Sequence, residues 1–359
     1  MAHKLLIINP GSTSTKLAIY EDGTKLVQEN IEHDAEELKK YENIADQVPY
    51  RRGIIDEFLK RNGTSPEDLS AVVGRGGLVK GLHPGGYIVN QDLYTALGDE
   101  RYCSPHASAL GGLLAKPIAD DQGIPAYIYD AVTGGDLDPV FELTGMPELK
   151  RKGESHLLNS HAMAIKYAEE HGKKYEDMNF IIAHMGGGTS VSAHGGGRFI
   201  DCIGDDEGHM SPERAGTFSS LDFMDLCYSG KFTKAEMKKK LRGEGGMAAY
   251  LGTSDCRKIE EMIENGDEKA KLVYEAEALH ISKDIGQMAV SHKGKVDVII
   301  LTGGVAHSKM LTDMIKGYVE FIAPVAVMAG ESEMDALALG GLRLLTGKES
   351  PQTYTLPVK

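Results

Sequence analysis

The chain has 359 residues with a formal net charge of −14, and 41% of its residues are hydrophobic. This length exceeds the usual size of a single core, so we expect two domains. The acidic charge argues against nucleic acid or an anionic membrane as a partner, because both need a basic face. Four widely spaced cysteines without a Cys-x-x-Cys pair fit reduced thiols and predict no metal site. No apolar run is long enough for a signal peptide or a membrane span, so we expect a soluble, cytoplasmic protein.

Strand and helix patterns alternate along the chain, which predicts an α/β fold. Apolar runs predict strands at 4–9, 15–20, 71–74, 126–129, 179–184, 198–203, 296–301 and 324–329. Helical spacing of apolar residues predicts helices at 51–62, 106–122, 156–171, 233–241, 256–265, 267–292, 307–321 and 333–346. Glycine-rich breaks follow several strands, and in open α/β sheets that edge is where ligands collect.

Two stretches half a chain apart share one plan. Residues 5–20 and 180–193 each read as an apolar strand, a turn of small residues and a second strand, with Gly11 in register with Gly186. The repeat predicts duplicated domains that face one another across a cleft. We place them at 1–154 and 155–329, with the region 330–359 packing back on the first. Turns of Gly, Ser and Thr bring backbone N–H groups and hydroxyls close to a ligand, which suits phosphate oxygens.

The first of these turns superficially resembles a P-loop, but it lacks the Gly-Lys-Ser/Thr ending and a strand pattern follows it instead of a helix. The P-loop interpretation therefore fails on context. A hairpin remains that presents Asn9, Ser12, Ser14 and Lys16 to an anion.

At this point the chain resembles a known family. The turn of Asn-x-Gly-Ser-x-Ser-x-Lys type, the duplication and a late strand followed by Gly-Gly are similar to the superfamily of acetate and sugar kinases, actin and the heat-shock chaperone ATPases. Further motifs occur in the same order along essentially the whole chain, at 73–77, 104–108, 129–131, 151–156, 184–190, 211–216, 301–306 and 330–338. Together they narrow the resemblance to the acetokinase family. Within that family, the chain is most similar to the members that act on butyrate. The resemblance implies two ribonuclease H-like domains of the actin type. Ser155 and Met185 depart from the family's pattern.

The chemistry implied by the resemblance is ATP + carboxylate ⇌ ADP + acyl phosphate, with Mg²⁺ as cofactor. The physical difficulty is bringing a carboxylate to an anionic γ-phosphate, since two unit charges about 4 Å apart repel by about 4 kcal/mol at an effective dielectric near 20. Arg75 follows a predicted strand in a glycine-rich turn and suits capture of the carboxylate. Arg214 is the second candidate cation. In the family, the matching arginines neutralise the phosphoryl group and hold the acid.

The resemblance also assigns roles to other residues. His156 would stabilise the transferred phosphoryl group, and His106 would lie in the substrate pocket. Asp130 would be catalytic and lie near Mg²⁺, with Glu333 nominated over Glu331 and Asp335 to assist through water. The phosphates would be bound by His184, Gly186, Gly187 and Gly188, and the adenosine by Gly303 and Gly304. Structural roles remain open for these residues: hydrogen-bonded histidines, helix caps for the acids, and a capping pair for the last two glycines.

Chain-length selectivity is predicted from Gly76 and Gly77, because acetate kinases carry valines after the arginine that matches Arg75. Missing side chains would enlarge the acyl pocket, and each extra buried CH₂ is worth about 0.8 kcal/mol. We therefore expect butyrate to be preferred, with isobutyrate, propionate and acetate as rival acids.

Two other classes of protein share some of these sequence features. A nucleotide-dependent switch of the actin or chaperone type would also bind ATP between duplicated domains, but it has no need for two cations reserved for a carboxylate. A nicotinamide dehydrogenase is disfavoured, because no Gly-x-Gly-x-x-Gly lies between a strand and a helix near the N-terminus. The resemblance further implies a homo-oligomer, a dimer or larger.

Overall fold

The computed structural model describes residues 2–357. The strands are β1 (Lys4–Pro10), β2 (Ser14–Glu21), β3 (Thr24–Glu32), β4 (Ala71–Arg75), β5 (Gly86–Ile88), β6 (Ala126–Tyr129), β7 (Phe180–Met185), β8 (Thr189–Gly195), β9 (Arg198–Ile203), β10 (Val298–Gly303), β11 (Val325–Ala329) and β12 (Gln352–Thr353). The helices are α1 (Ala35–Leu38), α2 (Val48–Arg61), α3 (Gln91–Leu97), α4 (Leu110–Gln122), α5 (Pro139–Glu142), α6 (Leu157–Glu170), α7 (Ser220–Tyr228), α8 (Lys234–Leu241), α9 (Gly246–Leu251), α10 (Cys256–Glu264), α11 (Glu268–Ser291), α12 (Lys309–Val319) and α13 (Glu333–Leu345).

Every strand predicted from an apolar run is present, and so is every predicted helix. The predicted helix at 106–122 begins with a 3₁₀ turn at Ala107–Ala109 and becomes α-helical as α4. Sequence patterning missed β3, β5, β12 and the helices α1, α3, α5, α7 and α9. β3 has no buried residue and β5 and β12 are very short, so none of them carries a long apolar run.

The two sheets repeat one arrangement, which confirms the predicted duplication within an α/β fold. The first sheet has the order β12-β5-β6-β4-β1-β2-β3, and the second has β11-β10-β7-β8-β9. Each sheet contains a three-stranded antiparallel meander, β1-β2-β3 in the first sheet and β7-β8-β9 in the second. The first strand of each meander also begins a parallel run of three strands, β1-β4-β6 in the first sheet and β7-β10-β11 in the second.

The chain forms two compact units, one from residues up to Gly135 together with the segment from Ser332 onward, the other from Asp136–Glu331. Residues 136–154 therefore belong to the second unit, whereas the sequence-based boundary assigned them to the first. The contacts give the reason. Phe141 packs against Leu157 and Phe199, and Arg151 forms an ion pair with Asp201 at 3.2 Å.

In the first unit, helices cover both faces of the sheet. Neighbouring residues of a strand point to opposite faces, and Gly74 lies against Gly111 of α4 whereas Val73 lies against Gly341 of α13. A Cβ added at Gly74 would lie 2.2 Å from the Gly111 carbonyl oxygen, so this helix–sheet contact requires glycine. The C-terminal helix α13 thereby packs on β1, β4 and β6.

The second unit is layered in the same way. Ile181 and Ala183 of β7 face α11 and α12, and the alternating residues Phe180 and Ile182 face α6. Six of six residues are buried in both β7 and β10, as expected for central strands covered on two sides. Within residues 2–357, no helix is both long and apolar enough to cross a lipid bilayer.

Candidate active site

In the first unit, three predicted site residues lie at the carboxyl ends of adjacent parallel strands. β1 pairs with β4 through Ile8 and Gly74, and β4 pairs with β6 through Arg75 and Tyr129. The next positions along these strands are Asn9, Arg75 and Asp130. The strand register therefore brings an amide, a guanidinium and a carboxylate to one sheet edge, as the glycine-rich breaks predicted.

Arg75, Asn9 and Glu333 form a closed triangle of polar contacts. The Arg75 Nη1 lies 2.6 Å from Glu333 Oε1, and the Asn9 amide donates to Glu333 Oε2 at 2.7 Å. Arg75 also donates to the Asn9 side-chain oxygen, at the long distance of 3.4 Å. The Arg75 and Glu333 side chains are only 20% and 16% exposed, so a carboxylate is already bound to Arg75 in a largely dry setting.

The structure separates the three acids that begin α13 or precede it. Glu333 binds Arg75 and Asn9, whereas Asp335 accepts a hydrogen bond from the Tyr20 hydroxyl at 2.5 Å and pairs with Lys25 at 3.1 Å. In the second unit, Glu331 lies 4.0 Å from His184 Nε2. Of the three, only Glu333 contacts Arg75.

Asp130 occupies an unusual backbone conformation. Its φ is +41°, a region that residues other than glycine rarely adopt, although aspartate tolerates it better than most. The backbone N–H of Gly85 donates to its carboxylate at 2.8 Å, and its own N–H donates to the Gly85 carbonyl at 3.0 Å. These bonds fix the buried carboxylate just beyond β6.

The two glycines after Arg75 serve close packing. A Cβ at Gly76 would lie 2.7 Å from the Ala131 Cβ, and one at Gly77 would lie 2.9 Å from Leu97. Gly77 also has a φ of +71°, which favours glycine. The predicted enlargement of an acyl pocket by their missing side chains is therefore wrong, because other protein atoms lie within 3 Å of both Cβ positions.

His106 directly precedes the 3₁₀ turn at Ala107–Ala109. Its Nδ1 is 2.7 Å from the Ser108 hydroxyl and accepts from the Ser108 N–H at 3.2 Å, so it caps the 3₁₀ turn before α4. It lines a cavity of about 430 Å³ together with Ile44, Cys103 and Leu113.

The hairpin turn after β1 carries the other phosphate candidates of this unit. Ser12 is exposed, and Ser14 and Lys16 are partly exposed. The Gly11 N–H donates to the Ser14 carbonyl at 2.8 Å and closes the turn.

In the second unit, the glycine turn at 186–188 packs against the loop at 211–214, so two separate motifs meet. The Ser211 hydroxyl donates to the Gly187 carbonyl at 3.1 Å, and the Glu213 N–H donates to the same oxygen at 2.8 Å. A Cβ at Gly187 would lie 2.8 Å from the Glu213 carboxylate, whereas a Cβ at Gly186 would meet only the Gly188 carbonyl, at 3.5 Å. The turn thus has one packed side and one open side.

Arg214 extends from this loop into an acidic pair. Its Nη2 lies 2.8 Å from Asp205 Oδ2, and its Nε lies 3.7 Å from Asp206 Oδ1. A Cβ at Gly188 would lie 2.5 Å from the same Asp205 oxygen and 3.1 Å from Arg214 Nη2. Glycine at this position lets the Arg214–Asp205 ion pair lie directly against the turn.

His156 and His184 are neighbours. Their rings stack with centroids 4.1 Å apart, His184 Nδ1 lies 2.9 Å from the Asn159 amide, and His156 Nδ1 lies 2.8 Å from the Ser190 hydroxyl. These contacts hold both rings beside the glycine turn, because Ser190 and His184 flank it in sequence. The structure thus places His184 directly before the glycine turn and stacks the ring of His156 on it.

Gly303 and Gly304 follow β10, the parallel neighbour of β7. Gly303 has a φ of +87°, and a Cβ there would lie 2.4 Å from the Met185 carbonyl oxygen, so this glycine is required for the two strand ends to approach. Among the described residues, no atom beyond the chain neighbours of Gly304 lies within 4 Å of its Cβ position, so its backbone is open to a ligand.

Sequence analysis missed Arg51, which holds the hairpin turn of the first unit. Arg51 is 1% exposed and its Nη1 donates to the carbonyls of Gly11 and Ser14, both at 3.0 Å. Burial lowers the pKa of Arg51 to about 10. A signal was present, because Arg51 shares helical spacing with the buried Ile55 and Phe58.

Comparisons with known proteins identify the family to which the chain is similar. The model of the acetokinase family matches residues 150–322. A relative named probable butyrate kinase 2, from Caldanaerobacter subterraneus, is 47% identical over 98% of this chain and 99% of its own length. Butyrate kinase 1 of Clostridium acetobutylicum is 45% identical over 98% of this chain and 99% of its own.

Solved structures share the fold at low sequence identity. An acetate kinase from Porphyromonas gingivalis is 20% identical, with a TM-score of 0.76 over 96% of this chain and 100% of its own. A propionate kinase from Francisella tularensis is 16% identical, with a TM-score of 0.71 over 94% of this chain and 98% of its own. With near-complete coverage by relatives at 45% identity or more, the chain belongs to the acetokinase family.

Proposed function

We propose that this protein transfers the γ-phosphoryl group of ATP to butyrate and forms ADP and butyryl phosphate in a reversible reaction. The observation that carries the proposal is the 47% identity, over nearly the whole chain, to a relative named as a butyrate kinase. Direct attack of the carboxylate oxygen on the γ-phosphorus forms the new P–O bond as the bond to the ADP oxygen breaks. Such a reaction asks the protein mainly for alignment and charge neutralisation.

In the first unit, Arg75 is proposed to bind the substrate carboxylate. Support comes from the carboxylate of Glu333, which already contacts Arg75 at 2.6 Å in a site that is mostly shielded from water. A planar guanidinium can hold a carboxylate through parallel hydrogen bonds. Asn9, Ser12, Ser14 and Lys16 are proposed to bind phosphate, and Gly76, Gly77 and His106 to border the acid through backbone and ring atoms.

In the second unit, Arg214 and His156 are proposed to stabilise the phosphoryl group during transfer. The contacts of Arg214 with Asp205, and of His156 with Ser190, hold both side chains in fixed orientations beside the glycine turn. His184 and Gly186–Gly188 are proposed to bind phosphate, and Gly303 and Gly304 to lie against the adenosine. The open Cβ positions of Gly186 and Gly304 support this, since a ligand can approach the backbone there.

The donor set fits magnesium that arrives with ATP. Among residues 2–357 no group of three or more His, Cys, Asp or Glu side chains is arranged to hold a metal. Mg²⁺ in kinase sites is commonly bound by one or two carboxylates together with substrate phosphates and waters. Asp130 and Glu333 are proposed to hold it. When bound, Mg²⁺ would neutralise charge on the phosphates.

The test is a reaction of purified protein with ATP, Mg²⁺ and butyrate in the presence of hydroxylamine. We expect butyryl hydroxamate and ADP in equal amounts, and no ADP release when butyrate is left out. ADP release that ignores butyrate and yields no hydroxamate would instead support a nucleotide switch.

We also propose a homo-oligomer located in the cytoplasm. No residue of α7 is buried, and Leu221, Met224 and Tyr228 share one face of this helix at 69%, 48% and 88% exposure. A second copy of this chain would remove that apolar face from water. Light scattering coupled to gel filtration tests this, and a monomer at micromolar concentration would contradict it.

A further inference from the structure

Arg51 is a buried charge without an acidic partner. Its side chain is among the largest that are fully buried, at 1% exposure. All of its hydrogen-bond acceptors are neutral: the carbonyls of Gly11, Ser12 and Ser14, the Thr15 hydroxyl and the Gln47 side chain. Among the described residues, no carboxylate lies within ion-pair distance of this guanidinium. Burying a charge in this way is costly unless another group compensates it.

The neighbouring titratable groups do not supply a negative charge. His33 lies 2.8 Å from the Thr15 hydroxyl, and Tyr50 lies 3.4 Å from the other nitrogen of its ring. Burial, with a contribution from Arg51, lowers the pKa of His33 to about 4, so this ring is neutral near pH 7. Among residues 2–357, the positive charge behind the turn therefore has no counter-ion within ion-pair distance.

Arg51 also determines which atoms of the turn remain available. It collects the carbonyl oxygens of Gly11, Ser12 and Ser14 on its own side. Within residues 2–357, the backbone N–H groups of Ser12 and Thr13 donate to no protein acceptor. Orphan N–H groups beside exposed hydroxyls, with a fixed positive charge behind them, are suited to binding an anion.

We propose that Arg51 is a positioning residue of the nucleotide site, and that the anion compensating its charge is a phosphate of ATP bound at the 11–15 turn. The inference rests on the proposed function, because it assigns this turn to ATP. Arg51 acts through the turn, holding its carbonyls on one side while its charge favours a phosphate on the other. It does not contact the acid.

The test separates affinity for ATP from affinity for butyrate. Arg51→Met removes the charge at similar volume, and Arg51→Lys keeps the charge without the planar fork. Arg52→Met is the matched control, because Arg52 is the next residue of α2 and pairs with Asp56 and Asp121. We expect Arg51→Met to raise the KM for ATP by about ten- to a hundredfold, the range of a unit charge acting across a thin turn at an effective dielectric near 20. The KM for butyrate should stay within about twofold, and Arg51→Lys should recover part of the loss.

An unchanged KM for ATP in folded Arg51→Met would overturn the proposal, and so would an equal rise in both KM values. If Arg51→Met does not fold, Arg51→Lys decides the question by the same criterion: a rise in the KM for butyrate as large as that for ATP rejects it. Binding of a non-hydrolysable ATP analogue, measured by calorimetry, keeps the inference separate from the reaction. Wild-type protein that binds the analogue but makes no hydroxamate contradicts the proposed function, and weaker analogue binding by Arg51→Met still supports the inference.

Discussion

Replacing Arg75 by glutamine tests the proposed carboxylate site. Glutamine keeps a polar side chain but removes the charge that faces Glu333 at 2.6 Å. The incoming acid then meets the γ-phosphate without that cation, and it also meets the uncompensated carboxylate of Glu333. We expect kcat/KM for butyrate to fall while the fold is kept, because Asn9 still donates to Glu333 at 2.7 Å.

The size of the effect follows from the charges. Two unit charges about 4 Å apart interact by about 4 kcal/mol at an effective dielectric near 20, and about 1.4 kcal/mol corresponds to a factor of ten. Arg75→Gln should therefore lower kcat/KM by about a thousandfold.

The assay is a coupled measurement of ADP release with butyrate varied at saturating ATP. Arg101→Gln is the control, because the Arg101 side chain is 63% exposed and its partner is Asp99 in the same unit. Circular dichroism checks that each variant is folded. A loss smaller than about tenfold in folded Arg75→Gln would refute the role of this arginine in substrate capture.

Three further perturbations follow from the contacts. Ser12→Ala should raise the KM for ATP only a few-fold in the coupled assay, since neighbouring N–H donors remain. A fall in kcat/KM as large as that expected for Arg75→Gln would contradict this. Gly77→Ala should lower the free energy of unfolding in urea by about 1–3 kcal/mol, because its Cβ would lie 2.9 Å from Leu97 at a φ of +71°, and a change below about 0.5 kcal/mol would reject the packing argument. His33 has a pKa of about 4 in the fold against 6.5 when unfolded, so the unfolded chain binds the proton more readily between these values. Stability should therefore fall as pH falls from about 6.5 to about 4, by at most about 1.4 kcal/mol per pH unit from this group, and His33→Gln should flatten that slope in urea titrations at several pH values.

Much of the fold could be predicted from the sequence because its central strands are covered on both faces. β1, β7 and β10 read as continuous apolar runs. Of the elements that escaped prediction, β3 and α7 carry no such signal, since neither has a buried residue. A segment that buries nothing within the unit leaves no periodic apolar pattern to read.

The residues of the candidate site could be proposed from the sequence, but their pairings could not. Motifs identified Arg75, Arg214 and the glycine turns, yet the partner of Arg75 is Glu333, far along the chain, and only the return of α13 to the first unit brings them together. The sequence shows that Gly77 lacks a side chain, but it does not show that Leu97 fills that space. Chain-length selectivity must therefore rest on atoms other than these glycine Cβ positions.

The most direct test of the account is a comparison of kcat/KM for straight-chain acids from acetate to pentanoate, measured by coupled ADP release with Mg²⁺ and ATP. We predict that butyrate gives the highest value, and that acetate lies at least tenfold below it because two buried CH₂ groups are worth about 1.6 kcal/mol. A higher kcat/KM for acetate than for butyrate would contradict the proposed substrate, and ADP release independent of every acid would contradict the proposed reaction.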